Sequence, residues 1–318
     1  MTLSILSVRG LRTYYFTQEG VVKAVDDVDL EIGTEEIAGL VGESGCGKST
    51  LGLSIIRLIR DVGRIIEGQI IFKGKDLLSL NVQEMIHIRG NDISMIFQDP
   101  MTYLNPIMKV GDQIAEIITT HAGKSKKEAD ECVGDLLKTI GLGGLENYYP
   151  HQLSGGLRQR VLISMALVSR PPLIIADEPT TALDVTVQAQ ILDLLKELVK
   201  KIGSSMLLIT HNLGLVADAC DRVHVMYAGK IVESADVHEL FYNCKHAYTA
   251  SLLDSAKSIQ QLREEIVALP GEPPNLINPP TGCAFHPRCT FAKEICAQKK
   301  PNNYEVGPGH SVSCWLYE

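Results

Sequence analysis

Apolar positions near the start of the chain come at strand-like spacing. Val21, Val22, Val25, Val28, Leu30 and Ile32 read as strand, interrupted by Gly20 and Gly33. Ile37–Val41 is a short apolar run ending at Gly42, as expected of a buried strand that feeds a loop. Residues 49–60 then take helical spacing through Leu51, Ile55 and Leu58, and residues 70–72 and 93–97 return to strand. From about 105 to 170 the pattern is mostly helical, with Ile114, Ile117 and Ile118 on one face and Leu136, Leu137 and Ile140 on another. Residues 173–176 predict a strand. Residues 187–200 predict a helix with Ile191, Leu194, Leu195 and Leu198 on its stripe, and 206–209 and 223–226 two further strands. Strands alternating with helices predict an α/β core with parallel sheet, preceded by an N-terminal antiparallel β region and carrying a helical insertion over about 105–170.

Composition adds a boundary. Eight of the fourteen prolines lie between Pro270 and Pro308, and four of the eight cysteines, Cys283, Cys289, Cys296 and Cys314, crowd the same end. The sequence therefore divides near residue 257, into a 1–256 domain and a 257–318 extension. With 45% hydrophobic residues the chain can bury real cores. A net charge of −8 sets nucleic acid aside as a partner, because duplex binders carry a basic excess. No apolar run reaches the roughly eighteen residues of a membrane-spanning helix. Residues 1–12 lack the basic-then-apolar order of a signal peptide, so a cytoplasmic chain with reduced cysteines is expected.

The sharpest local signal is Gly42-Glu43-Ser44-Gly45-Cys46-Gly47-Lys48-Ser49-Thr50, which fits G-x-x-x-x-G-K-S/T between a predicted strand and a predicted helix. Glycines let the backbone wrap so that successive N–H groups face phosphate, and the helix start adds its positive end. Lys48 is expected to reach the β- and γ-phosphates of ATP and the Ser49 hydroxyl to bind Mg²⁺. Cys46 occupies a variable loop position and reads as a small residue. Downstream, the strand at 173–176 ends in Asp177 and Glu178, the first placed to hold the Mg²⁺ shell and the second to act as base toward the attacking water. His211 and Gln98 each follow a predicted strand at the edge where phosphate chemistry is expected, and the amide of Gln98 can bridge metal-bound water.

Leu153-Ser154-Gly155-Gly156-Leu157-Arg158-Gln159-Arg160 resembles the ABC signature L-S-G-G-Q, with Leu157 where glutamine is usual. A serine hydroxyl and two close backbone N–H groups at a helix start suit a γ-phosphate. The resemblance covers about residues 3–255 and implies a P-loop ABC ATPase fold. It further implies that Gln98 is the Q-loop glutamine, His211 the switch histidine and Ala182-Leu183-Asp184 the D-loop. The adenine-stacking aromatic should lie in Tyr14-Tyr15-Phe16, with Tyr15 favoured. In this superfamily two ATPase domains pair head to tail, each ATP held between the phosphate loop of one and the signature of the other.

Residues 97–106, Phe-Gln-Asp-Pro-Met-Thr-Tyr-Leu-Asn-Pro, are similar to the oligopeptide/dipeptide importer branch, and Gly282-Cys-Ala-Phe-His-Pro-Arg288 resembles its C-terminal extension. This implies an ATPase on the cytoplasmic face of the membrane that drives peptide uptake. Its partners would be two permease subunits, a second related ATPase and an extracytoplasmic binding protein. Met101, Tyr103 and Leu104 are candidate permease contacts or core residues. Nickel or oligosaccharide cargo remains open, since cargo is chosen by other subunits. A soluble ABC protein acting on nucleic acid or ribosomes would carry a long coiled coil or two ATPase halves, and this sequence has neither.

The four C-terminal cysteines suit zinc or an iron–sulfur centre by their donor type, although C-x-x-C pairs are absent. The family resemblance implies [4Fe-4S], with zinc as the alternative. His286 and His310 read as non-ligands. A proline-rich extension is expected to bury little apolar surface and to need a metal staple, and ATP binding is expected not to depend on it.

Overall fold

The computed structural model describes residues 4–60, 62–181, 183–260 and 271–318. These cluster into two compact units, Met1–Ser79 with Leu208–Glu318, and Leu80–Leu207.

The first unit opens on a hairpin of β1 (Ser4–Thr17) and β2 (Gly20–Gly33). In β2, Val28, Leu30 and Ile32 are buried while Asp27, Asp29 and Glu31 point outward, the period of two that a half-buried strand requires. β3 (Ile37–Val41) is buried at all five positions and delivers the chain to α1 (Lys48–Ile55). β4 (Gly63–Phe72) runs antiparallel to β1, and the short β5 (Lys75–Asp76) completes a sheet of order β2-β1-β4-β5. A fully buried hydrogen bond between the hydroxyls of Thr13 and Ser54, 2.8 Å, ties α1 to β1.

The second unit begins with α2 (Val82–Ile88), started by a capping box between Asn81 and Glu84. β6 (Ile93–Ile96) leads into α3 (Pro100–Tyr103), α4 (Val110–Ala122), α5 (Lys126–Thr139) and α6 (Gly155–Leu167). α4, α5 and α6 lie within the stretch of about 105–170 expected to be helical, and α3 lies before it. β7 (Leu173–Asp177) is buried throughout and pairs parallel to β6, Ile93 opposite Leu173. α7 (Val185–Ile202) ends at Gly203, whose φ of 68° makes the left-handed stop that favours glycine.

β8 (Ser205–Ile209), all buried, carries the chain back into the first unit. Then come α8 (Leu213–Ala219), β9 (Arg222–Tyr227), β10 (Lys230–Asp236), α9 (Val237–Asn243) and α10 (Ala247–Gln260). β9 lies parallel to β3, with Gly39 opposite Val223, and antiparallel to β10. The cysteine-rich end forms α11 (Glu294–Gln298), β11 (Tyr304–Gly307) and β12 (His310–Val312). β12 adds to β10, giving the run β11-β12-β10-β9-β3. Among the described residues no helix is long and apolar enough to cross a membrane.

Residues 271–318 cluster with the first unit. The tail departs from its sequence reading in its buried apolar surface, since Phe285 and Val312 are buried and Trp315 is 9% exposed. Strand addition pairs the backbone of β11 and β12, and a few large side chains do the packing that a longer apolar run would otherwise supply.

One buried carboxylate secures this attachment. Glu233 of β10 accepts from the backbone N–H groups of Lys245 and His246 at 2.6 and 2.9 Å, and lies 2.8 Å from His310 Nε2. That contact engages the Nε2 of His310. Glu233→Ala would leave these donors without an acceptor, at about 1–3 kcal/mol each. The expected outcome is a loss of about 3 kcal/mol or more in denaturant unfolding, with Glu233→Gln losing less.

Candidate functional site

The phosphate-loop sequence forms a tight turn between β3 and α1. Gly42 and Gly47 have φ of 155° and 111°. A Cβ on Gly42 would stand 2.1 Å from the carbonyl oxygen of Met226, and one on Gly47 would stand 2.0 Å from that of Ala24. Only glycine fits either place. Lys48 is buried, and its ammonium donates to the carbonyls of Gly42 and Glu43 at 2.8 and 3.0 Å. Cys46 is also buried; burial raises its thiol pKa against the opposing pull of Lys48, which keeps it protonated and inert. Ser49 and Thr50 occupy the first turn of α1.

Of the three candidate aromatics, Tyr14 donates to Asp26 Oδ1 at 2.7 Å, and its pKa is pushed up to about 12 by burial and by that carboxylate. Tyr15 is half-buried with its hydroxyl 3.3 Å from Thr50 Oγ1, next to the helix start. Phe16 is exposed, with the Arg64 guanidinium 5.9 Å from its ring centre. His211, also in this unit, is exposed just beyond β8. The residue before it, Thr210, donates its N–H to the Leu40 carbonyl of β3.

In the second unit Gln98, Glu178 and Thr181 are brought together. Gln98 Nε2 donates to Glu178 Oε2 at 3.1 Å, and the Thr181 hydroxyl donates to the same oxygen at 2.7 Å. Asp177 is buried at the end of β7, and Glu178 has a φ of 46°, an uncommon conformation for a residue with a Cβ. Such strain at a strand end turns the carboxylate toward these partners instead of along the sheet.

Ser154 caps α6, its hydroxyl accepting from the Leu157 N–H at 3.4 Å, and Ser154 and Gly155 are exposed. A Cβ on Gly156 would press the Val187 side chain at 2.9 Å. Asp184 caps α7 through the Val187 N–H, 3.0 Å. Ala182 lies outside the described residues. After Gln98 the chain splits in character: Met101 and Tyr103 are exposed, Leu104 is buried, and the Tyr103 ring stacks on Phe97 at 4.0 Å.

Residues 25–181 match the family described as ABC transporter. The oligopeptide transport ATP-binding protein AppD of Bacillus subtilis is 46% identical over 319 residues, covering 99% of this chain and 97% of AppD. The chain belongs to the ABC transporter family. A second match, over residues 232–296, is to the family described as oligopeptide/dipeptide transporter, C-terminal region. The dipeptide transport ATP-binding protein DppD of B. subtilis is also 46% identical, over 99% of this chain and 95% of DppD. Among solved structures, the dimeric post-hydrolysis ATP-binding cassette MJ0796, bound to ADP and Pi, has a TM-score of 0.66 at 28% identity and covers 73% of this chain and 98% of its own.

The four clustered cysteines of this ABC protein are free thiols that line one small pocket, together with His246, Phe285 and Trp315. Burial pushes Cys283 up to about 11, the other three thiols adding to the rise, and burial also raises Cys289 and Cys314. The thiols share a pocket without being drawn into a cage. Among the described residues no group of three or more His, Cys, Asp or Glu side chains is arranged to hold a metal ion. As a donor type, four thiols are compatible with zinc or an iron–sulfur centre. His286 is engaged elsewhere, its Nδ1 2.9 Å from the Cys283 carbonyl oxygen.

Three supporting residues escaped the sequence reading. Gln113 donates to the Asn105 and Met108 carbonyls at 3.0 Å and accepts from the Asn105 N–H, holding the chain after Gln98. Gln188 donates to the Thr180 and Leu183 carbonyls at 3.1 Å, fixing the turn before Asp184. Arg288 grips Glu43 of the phosphate loop at 2.8 and 3.0 Å. Nothing in sequence spacing separates the two glutamines from solvated helix residues. Arg288 belongs to the quoted 282–288 motif but carries no sign of its partner.

The glycine geometry yields a direct test. Gly47→Ala should abolish ATP binding in a fluorescent-nucleotide titration while leaving the far-ultraviolet dichroism of the chain near normal. Retained affinity would mean that the loop tolerates a Cβ there.

Proposed function

We propose that this chain is the ATP-hydrolysing subunit of an importer that takes up dipeptides or oligopeptides. The observation that carries the reading is 46% identity over 99% of the chain with ATP-binding proteins named for oligopeptide and dipeptide transport, together with the match of residues 232–296 to the C-terminal region of that branch. The chain works as one of two paired ATPases beneath two permease subunits, on the cytoplasmic face of the membrane, with an extracytoplasmic binding protein delivering cargo.

In this reading the loop N–H groups and Lys48 hold the ATP phosphates and Tyr15 stacks on the adenine. Ser49, Gln98 and Asp177 supply the hard oxygen donors that suit Mg²⁺, which neutralises phosphate charge when bound. Glu178 takes the proton of the attacking water, held in orientation by Gln98 and Thr181. Ser154, Gly155 and Gly156 clamp the γ-phosphate on the paired subunit, with Asp184 at the same junction and His211 on the γ-phosphate side. Phosphoryl transfer needs positioning more than covalent chemistry, so closing the pair gates turnover.

Glu178→Gln should bind ATP yet turn over at least about 100-fold more slowly, roughly 3 kcal/mol of barrier. Lys48→Ala should weaken binding itself. Phosphate-release assays beside nucleotide titrations separate the two effects, and near-normal turnover in Glu178→Gln would remove it from the role. Reconstituted with permeases and binding protein in vesicles, the wild-type chain should show ATP hydrolysis stimulated by peptide and not by nickel or oligosaccharide.

The tail is read as holding a [4Fe-4S] centre on Cys283, Cys289, Cys296 and Cys314, with residues 1–256 as the ATPase domain and 257–318 as the extension that the centre staples. Their shared pocket supports the reading, and deprotonating the raised thiols would accompany metal entry. Anaerobically prepared protein should contain about four iron atoms per chain. Serine at any of the four positions should remove the iron, and Cys132→Ser should not. About one zinc and no iron would replace the cluster with a tetrathiolate zinc site.

A further inference from the structure

Glu43, the second residue of the phosphate loop, is held from three directions. Its N–H donates to the Tyr248 hydroxyl at 2.8 Å. Its carbonyl accepts from Lys48 at 3.0 Å and from the Cys46 N–H at 3.3 Å. Its carboxylate accepts both N–H groups of the Arg288 fork, at 2.8 and 3.0 Å. The Arg288 side chain is 5% exposed and the Glu43 side chain 21%, so the pair is largely withdrawn from water, where a forked charge pair is strongest and most directional.

Arg288 is itself fixed. Its guanidinium also donates to the Tyr227 hydroxyl at 3.3 Å and lies 5.8 Å from the Tyr227 ring centre and 6.0 Å from that of Phe285. Tyr227, Tyr248 and Phe285 pack on one another at centroid distances of 4.5 to 5.5 Å, all nearly or fully buried. The backbone from Cys283 to Cys289 is a chain of tight turns, with the N–H groups of His286, Arg288 and Cys289 bonded to the carbonyls of Cys283, Phe285 and His286. Arg288 thus stands at the end of the cysteine turn and at the side of the phosphate loop at once.

We propose that Arg288 is a positioning residue for nucleotide. Through Glu43 it fixes the loop whose backbone N–H groups and Lys48 meet the phosphates, so that the conformation of the cysteine turn sets ATP affinity. The proposal rests on the phosphate-loop reading and on no metal. It reverses the expectation that the tail and ATP binding are independent.

The test uses the full chain and MgATP. Arg288→Ala should weaken MgATP binding at least about tenfold, equivalent to about 1.4 kcal/mol. KM should rise more than kcat falls at saturating ATP. Arg288→Lys, which keeps the charge but not the fork, should recover part of the affinity. Adding Glu43→Gln to Arg288→Ala should cost much less than Glu43→Gln costs alone, because the two act as one unit. Lys48→Ala is the control for the underlying reading: if it keeps its ATP affinity, the phosphate-loop assignment fails. If Lys48→Ala loses affinity while soluble Arg288→Ala binds MgATP like wild type, with only a lower melting temperature, the positioning role is overturned. Should Arg288→Ala not fold, Glu43→Gln decides: unchanged MgATP affinity there overturns the proposal.

Discussion

The phosphate loop passes so close to two strand backbones that one methyl group at either of two positions would collide with a carbonyl oxygen. Ala24 of β2 and Met226 of β9 set those limits, one from the antiparallel sheet and one from the strand beside β3. The loop cannot relax without displacing both. That restraint explains why the surrounding hydrogen bonds converge there: the Gly229 N–H donates to the Cys46 carbonyl, and the Gly229 carbonyl accepts from Asp26. Preorganised N–H groups bind anions well because no reorganisation is needed on binding, and both backbone packing and the Glu43–Arg288 pair restrain this loop.

The second unit solves a comparable problem by other means. Its loops are held by polar side chains reaching back to carbonyls, Gln113 after Gln98 and Gln188 before Asp184. Gln113 is 4% exposed. A buried amide with its donors and acceptor satisfied gives a loop a definite shape without regular structure, at the risk that losing it strands several groups at once.

What could be read from the sequence follows how local each feature is. The phosphate loop needs nine consecutive residues and one flanking strand, and both are visible in a short window. The strand ending in Asp177 and Glu178 is equally local. The hydrogen bonds from Gln98 and Thr181 to Glu178 span 80 and three residues, and no pattern announces the longer one. The tail is the least legible part of the sequence. Its prolines and cysteines dominate its composition and mask Phe285, Val312 and Trp315, whose burial becomes visible only once β12 has joined β10. Arg288 likewise looks like any surface cation until Glu43, 245 residues earlier, is placed beside it.

The joining of β12 to β10 bears on how the chain can be divided. A cut near residue 257, where composition changes, would uncover the edge of β10 at Val232, Glu233 and Ser234, beside the buried Ala235. An isolated ATPase fragment would therefore carry an open β edge that invites other chains to add to it. In this chain the hairpin of β11 and β12 covers that stretch of edge, the cover that a sheet edge needs if it is not to pair with other chains.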